Sequence, residues 1–327
     1  MLAQKPTLVI VIPCYNEEQV LNETAKQLLI KISKLISDEI VSSKSTLLFV
    51  DDGSHDNTWG LIEKYHNENP MIFNAIKLSA NKGQRNALLC GLFSVKDYAD
   101  VTITIDADLQ DDIAVIDQML EHYFCGSEIV FGVHSNREND SFFKKTPSCF
   151  FYGFMRLLGV DVVKNHAHFR LLGRKALNAL LKYSEVNLFL PGIISKLGFK
   201  SSVVDLSTKK RLAGKSKYNM SKLLDLAIDA VTSFSIKPIR FISFSGILLC
   251  TIGLILTGYY SVKFFSGFES DLIAVLLCSS WMIGGMILFS IGVVGEYIGK
   301  IYSETKHRPR YHIEQTLFRQ ELKDDTQ

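Results

Sequence analysis

The chain has almost no excess of either charge. Thirty-six Lys and Arg face 34 Asp and Glu, a net charge of +2 over 327 residues. This excludes the broad electrostatic footprint of a nucleic-acid binder. Cysteine is sparse and scattered. The six are Cys14, Cys90, Cys125, Cys149, Cys250 and Cys278, and no two have CxxC spacing. A disulfide framework and a zinc site are therefore not expected, and the thiols read as reduced packing groups of a cytosol-facing protein. A secretory leader layout is also missing. In "MLAQKPTLVIVIPCYNEE" the apolar run is short, starts after Pro6 and ends in acids, so it reads as a first strand. There is no internal repeat and no low-complexity segment.

Apolar sequence, in contrast, is abundant. Hydrophobic residues make up 47% of the chain and charged residues 21%. The length suits about two domains. The apolar excess collects near the C-terminus. Residues 241–265 carry a single charge, Lys263, and residues 272–299 carry only Glu296. Each run is long enough to cross about 30 Å of hydrocarbon as a helix. The link "SGFESD" is short, so the expectation is a two-helix transmembrane hairpin over 239–301. Lys237 and Arg240 precede it, and Lys300, Lys306, Arg308 and Arg310 follow it. Basic residues at both outer ends place both on the cytoplasmic side of a multi-pass plasma-membrane protein. The alternative is a buried hairpin of a soluble domain. Just upstream, 219–238 has apolar residues at helical spacing, with Lys222, Asp225 and Asp229 interspersed. It reads as an amphipathic helix on the membrane surface, or as a plain packing helix. Residues 302–327 are polar and read as a cytoplasmic tail.

The first 218 residues read as one cytoplasmic domain. Strand-like runs at 7–12, 46–51, 72–78, 101–105 and 128–133 alternate with helix-like stretches at 17–36, 56–66, 84–96 and 112–124. This alternation predicts a mostly parallel α/β sheet, whose ligands bind beyond the carboxyl ends of the strands. Polar groups cluster at those ends: "PCYNEE" (13–18), "DDGSHDNT" (51–58), "SANKGQRNALLCG" (79–91) and "DADLQDD" (106–112). One such end is an ordinary turn or cap, and Asp56 or Asn57 fits that reading. Four on one edge describe a polar ligand site.

The last of these ends poses a problem of charge. Asp106, Asp108, Asp111 and Asp112 follow a β-branched run. Carboxylates this close repel one another and need a counter-charge. A hard divalent cation, Mg²⁺ or Mn²⁺, held by one or two carboxylates and a substrate diphosphate would supply it.

The ordered set "VIVIPCYNEE", "LLFVDDGSHDNT", "NKGQRNALLCGL", "TIDADLQDD", "HFRLLGRKAL" and "RLAGKSKYNMSKLLDLAIDAVTSFSIKPIR" resembles the family-2 glycosyltransferases of the polyprenyl-phosphate hexosyltransferase branch. That branch includes bactoprenol glucosyltransferases and is related to dolichol-phosphate mannose synthases. The resemblance covers about residues 7–300. It implies a GT-A (Rossmann-like) fold and inverting transfer of a hexose from a nucleotide sugar, with UDP the favoured carrier, to a polyprenyl (undecaprenyl) phosphate for cell-envelope glycan modification. It also implies site roles. Pro13, Tyr15 and Glu17 would line the nucleoside pocket, and Asp52 would approach the base or ribose. Asp106 and Asp108 would hold the metal, with Asp108 part of the catalytic set, and Gln110 would lie near the donor sugar. Arg211, Lys215 and Lys217 would meet the acceptor phosphate at the bilayer; three cations beside an interfacial helix suit such a headgroup.

One position departs from the pattern. Many relatives have an Asp before "FR", the favoured catalytic base, where this chain has His168. A lipid monophosphate already carries about 1.5–2 negative charges near neutral pH, so the need for a base is slight. His168 could accept a residual proton or, as imidazolium, attract the phosphate, with Arg170 beside it. His166 would share its strand face. The alternative is a catalytically weakened nucleotide-sugar-binding membrane scaffold. A processive synthase is disfavoured, because Trp59 and Trp281 do not follow an Arg and the Q-x-x-R-W segment is missing. A transporter is disfavoured by the span count. Small residues in "GGMILFSIGVVG" would permit helix contact in a homo-oligomer.

Overall fold

The computed structural model describes residues 5–134, 166–183, 190–206 and 272–319, with scattered positions between 239 and 266. The expected amphipathic helix at 219–238 lies outside the described residues. So do Arg211, Lys215 and Lys217.

Five strands alternating with four helices open the described chain. They are β1 (Leu8–Cys14), α1 (Glu18–Ser37), β2 (Thr46–Asp51), α2 (Thr58–Glu68), β3 (Phe73–Leu78), α3 (Gln84–Val95), β4 (Val101–Thr104), α4 (Val115–Phe124) and β5 (Ile129–His134). Then come β6 (His166–Gly173), α5 (Arg174–Leu180), α6 (Leu190–Lys196), β7 (Ser201–Leu206), α7 (Leu272–Thr305) and β8 (Ile313–Leu317). The strands form one sheet in the order β7-β5-β6-β4-β1-β2-β3-β8.

The sheet is mixed: six of its eight strands run in one direction, and β6 and β8 oppose them. Strands β1 to β4 run parallel, and β7 runs parallel to β5. Strand β6 is antiparallel to both of its neighbours, β4 and β5. Its amino end therefore lies at the same edge as the carboxyl end of β4. The chain moves outward from β1 through β2 and β3, then returns to place β4 on the other flank of β1. That reversal is the topological switch point, where open α/β sheets leave a crevice for ligands.

Strands β1, β2 and β4 are buried along their whole length. This explains why they read as unbroken apolar runs instead of alternating ones. Helix α1 covers the sheet with Val20, Leu21, Ala25, Leu28, Ile32 and Leu35, at the i, i+3, i+4, i+7 spacing of one helix face. Each fully buried aliphatic side chain contributes about 1.5–3 kcal/mol by leaving water. Helix α3 comes closest to the sheet. A Cβ on Gly91 would lie 2.4 Å from Val11 Cγ1 and 3.0 Å from Val50 Cγ2.

The C-terminal segment differs from the polar tail expected of 302–327. Residues 313–317 form β8, antiparallel to β3, and the Ser79 N–H donates to the His312 carbonyl at 3.0 Å. Lys77 and Glu314 pair at 2.9 Å, and the Arg319 N–H donates to Asn74 Oδ1 at 3.2 Å. The strand is short and exposed, so its own composition gives little sign of pairing. Its backbone satisfies the outer edge of β3, which would otherwise offer unpaired groups.

The chain divides into two compact units. One comprises Met1–Ser148, Val162–Lys217 and Pro309–Gln327, and the other Cys149–Asp161 and Tyr218–Arg308. The tail thus belongs with the sheet. In the second unit, Ile283–Thr305 of α7 is the one stretch among the described residues long and apolar enough to cross a membrane. Its Ile287, Leu288, Phe289, Ile291 and Ile298 are all more than half exposed. Every described residue between 239 and 262 is helical. Most of the first expected span lies outside the described residues.

Substituting Gly91 by Ala should lower the melting temperature by several degrees. The new methyl meets stiff β-branched side chains, and overpacking of this kind costs about 1–3 kcal/mol. Thermal unfolding of the variant checks this, and an unchanged transition would mean that α3 stands further from the sheet.

Candidate active site

The turn after β4 is the centre of the site. Burial alternates along it: Asp106, Asp108 and Gln110 are half-buried, while Ala107 and Leu109 are buried. Three polar side chains therefore face one way and two apolar ones enter the core. Leu109 has φ +47°, in the left-handed region that side chains other than Gly, Asn and Asp seldom adopt. The Gln110 N–H donates to Asp108 Oδ1 at 3.3 Å, closing the turn.

Asp106 accepts a hydrogen bond from Gln84 Nε2 at 2.7 Å. Gln84 is the first residue of α3, whose cap Gly83 has φ +87°. Asp106 also acts electrostatically on Arg170. Burial pushes the Arg170 guanidinium down to about 10, and the Asp106 carboxylate pulls it back up. Arg170 is 1% exposed. It was expected among the reacting groups, and it lies buried in the sheet within reach of the Asp106 charge.

His168 lies two residues earlier on β6, and its carbonyl accepts the Thr104 hydroxyl at 2.6 Å. Loss of surrounding water and then the Arg170 charge push its imidazole down from 6.5 to about 4. The residue is nevertheless exposed. The direction of the shift favours the neutral ring over the imidazolium. His166 opens β6 opposite Val133.

The β1 and β2 ends are knitted together. Asn16, at φ +53°, donates its N–H to Ser54 Oγ and accepts from the His55 N–H through Oδ1. The Glu17 N–H donates to Thr58 Oγ1 at 2.9 Å. Tyr15 and His55 meet edge to face at 6.5 Å. Pro13 is buried in β1 opposite Val50. Burial pushes the Asp56 carboxyl up, but hydrogen bonds from Thr58 and Glu18 outweigh it and hold it below its ordinary value. Asp56 accepts the Thr58 N–H at 3.0 Å just before α2, the ordinary turn role that one sequence reading gave it.

Asp52 is buried and accepts the Lys82 N–H at 2.7 Å, which ties the β2 end to the loop after β3. Gly53, at φ +67°, makes this approach possible, since a Cβ there would lie 2.6 Å from the Ala80 carbonyl carbon. Burial raises the carboxyls of Asp51 and Asp52, opposed by N–H donors from Ser54 and from Lys82 and Gly83 respectively. The Cys14 thiol is pushed well up by burial and by Asp51, so it is no nucleophile.

Among the described residues, no three His, Cys, Asp or Glu side chains gather at metal-binding spacing. Asp106 and Asp108 offer hard oxygen donors on the open side of one turn. They fit a divalent cation whose shell is completed by a diphosphate.

Sequence reasoning named the outward groups but missed Asp51, Gln84, Thr104 and Thr24, which hold them. Asp51, Gln84 and Thr104 lay within quoted motifs, whereas Thr24 had no local signal, because its partner is distant in sequence.

Carboxylates and an amide at the switch-point edge of an α/β sheet are where such folds place a polar ligand. Glycosyl transferase family 2 matches residues 9–181. The chain is 43% identical to an uncharacterized glycosyltransferase, YkoT, of Bacillus subtilis, over 98% of this chain and 95% of that one. It is 32% identical to the bactoprenol glucosyl transferase of Shigella phage SfV, over 93% of this chain and 97% of that one. A mannosyltransferase structure from Pyrobaculum calidifontis, in complex with GDP-Man and Mn²⁺, aligns over 90% of this chain and 88% of that one, with TM-score 0.47 and 13% identity. The protein belongs to glycosyl transferase family 2, and its likeness to bactoprenol glucosyl transferases runs along nearly the whole chain. Its sheet domain is GT-A-like.

A neutral His168 has a testable signature. Its ring proton, followed by NMR through comparison with His168→Gln, should titrate well below 6.5, towards about 4. Since folding favours the neutral form, this contribution to stability is present above about 6.5 and is lost as pH falls towards about 4. A midpoint at or above 6.5 would show that the ring is not held neutral.

Proposed function

We propose that this enzyme transfers a hexose, glucose foremost, from a UDP-sugar to polyprenyl phosphate at the cytoplasmic face of the plasma membrane. The supporting observation is the extent of the likeness. The family match ends at residue 181, but the bactoprenol glucosyl transferase of phage SfV aligns over 93% of the chain. It therefore reaches beyond the donor domain into the apolar C-terminal region. An acceptor that is a lipid phosphate accounts for that region, and a soluble acceptor would not.

In this reading Tyr15, Glu17 and Asp52 form the nucleoside pocket, with Pro13 as its floor. Asp106 and Asp108 hold Mg²⁺ or Mn²⁺, which would neutralise charge on the departing diphosphate. Gln110 faces the donor sugar from the same side of the turn. Arg211, Lys215 and Lys217 receive the acceptor phosphate. Strand β7 ends at Leu206, five residues before Arg211, at the carboxyl edge where the donor groups collect. The apolar runs 241–265 and 272–299 form the membrane hairpin.

The acceptor oxygen attacks the anomeric carbon as the bond to the UDP oxygen breaks, and the bonding pair leaves with UDP. Single displacement inverts the centre, giving a β-linked product from an α-linked donor. The acceptor already carries about 1.5–2 negative charges, so a strong base is not needed. Neutral His168 can take up the residual proton of a singly charged phosphate. Arg170 steadies Asp106 from within the sheet.

The test is transfer of radiolabel from a panel of UDP- and GDP-sugars to short-chain polyprenyl phosphate, with purified protein in detergent and Mg²⁺ or Mn²⁺. Label from UDP-glucose should enter the lipid phase. Asp108→Ala should reduce this by on the order of a hundredfold or more, as for loss of a principal electrostatic stabiliser. Nucleotide binding without transfer from any donor would favour the scaffold reading, and a gain of a hundredfold or more in His168→Asp would mark the native histidine as a defect.

A further inference from the structure

Asp106 and Asp108 can act together only if the turn between them is held in one shape. The single residue separating them, Ala107, is buried at 4% exposure. Its carbonyl accepts the Thr24 hydroxyl at 2.6 Å. Thr24 lies in the second turn of α1 and is itself 1% exposed. The same hydroxyl lies 3.0 Å from the Val20 carbonyl, the usual partner of a helical threonine. The contact across 83 residues is the shorter of the two. Leu109, buried at φ +47°, anchors the other side of Asp108. A left-handed leucine persists only when its surroundings over-determine it.

We propose that Thr24 is a positioning residue for the cation site. It acts through the Ala107 carbonyl, and with Leu109 it fixes the Asp106–Gln110 turn so that both carboxylates face the donor diphosphate. The inference rests on the reading of Asp106 and Asp108 as cation ligands. Helix α1 thereby does more than cover the sheet. Its register on β1 sets the height of the turn, and a buried hydroxyl transmits that register to the two ligands.

The measurement is binding of Mn²⁺ to the full-length protein in detergent with saturating UDP, followed by the EPR signal of free Mn²⁺. Three proteins are compared: wild type, Thr24→Val and Thr24→Ser. Valine keeps the shape and removes the donor. Affinity for Mn²⁺ should fall about tenfold in Thr24→Val, equivalent to about 1.4 kcal/mol, and return to within about twofold in Thr24→Ser. In the transfer assay the KM for metal should rise in Thr24→Val while kcat at saturating metal stays within about threefold. That split is not expected of a variant that is merely less stable. Wild-type affinity in folded Thr24→Val, with only its melting temperature lowered, would overturn the inference and leave the cation reading intact. No binding of Mn²⁺ by wild type would overturn the cation reading, and the inference with it. If Thr24→Val does not fold, Leu109→Gly replaces it, since glycine tolerates the backbone angle but removes the anchor. Weakened Mn²⁺ binding there supports the fixed turn, and unchanged binding overturns it.

Discussion

A buried guanidinium beside a cluster of carboxylates is the constraint around which the rest of the site is arranged. Arg170 sits in β6 opposite Thr104, at the last pair of the β4–β6 ladder. Two residues further along, the β4 chain turns out as Asp106. Burying an unpaired charge costs several kcal/mol, and gathering carboxylates costs more as each is added. Placed together, the two penalties offset each other. Asp106 sustains the positive form of Arg170. Under the proposed function, a cation on the open side would have to neutralise only what the sheet has left over, and an open site of this kind would release its metal together with the diphosphate more readily than a closed cage of four protein ligands.

The antiparallel turn of β6 makes this possible. In an all-parallel sheet the neighbour of β4 would also present its carboxyl end, with another helix start and more free N–H groups. Reversal brings the amino end of β6 to that edge, and with it His168 and Arg170 on one strand face. The exposed member is a neutral imidazole and the buried member is the cation. The reverse order would put a permanent charge on the open side and a titrating ring where Asp106 meets a fixed partner.

Much of this was legible in the sequence. Strand β1 was expected at 7–12 and occupies Leu8–Cys14, and β2 was expected at 46–51 and occupies Thr46–Asp51. Long apolar runs flanked by turn residues make such strands readable. Strand β6 was harder, because histidines and an arginine interrupt it, and nothing local says that its partner across the ladder carries the acids. Strand β8 is short and exposed, and it exists only because β3 has a free edge for it to satisfy. The site divides in the same way. Asp106, Asp108 and Gln110 could be read because alternation alone puts them on one side. Thr24, Gln84 and Thr104 could not, since each is an ordinary polar residue until the fold brings its partner close.

The substitution at residue 168 bears on what the reaction requires. A carboxylate there would add a negative charge near Asp106, partly undoing what Arg170 supplies, and it would repel an anionic acceptor. It would also take up a proton more readily than an imidazole held at about 4 only if its own value were raised above that. Histidine avoids the repulsion at little cost in basicity. For an alcohol acceptor this exchange would be poor, because its proton must be removed in the transition state. For a phosphate monoester, most of that deprotonation is complete before binding. The residue that departs from the family pattern is thus easier to reconcile with a phosphate acceptor than with a hydroxyl one, which is the acceptor class of the proposed function.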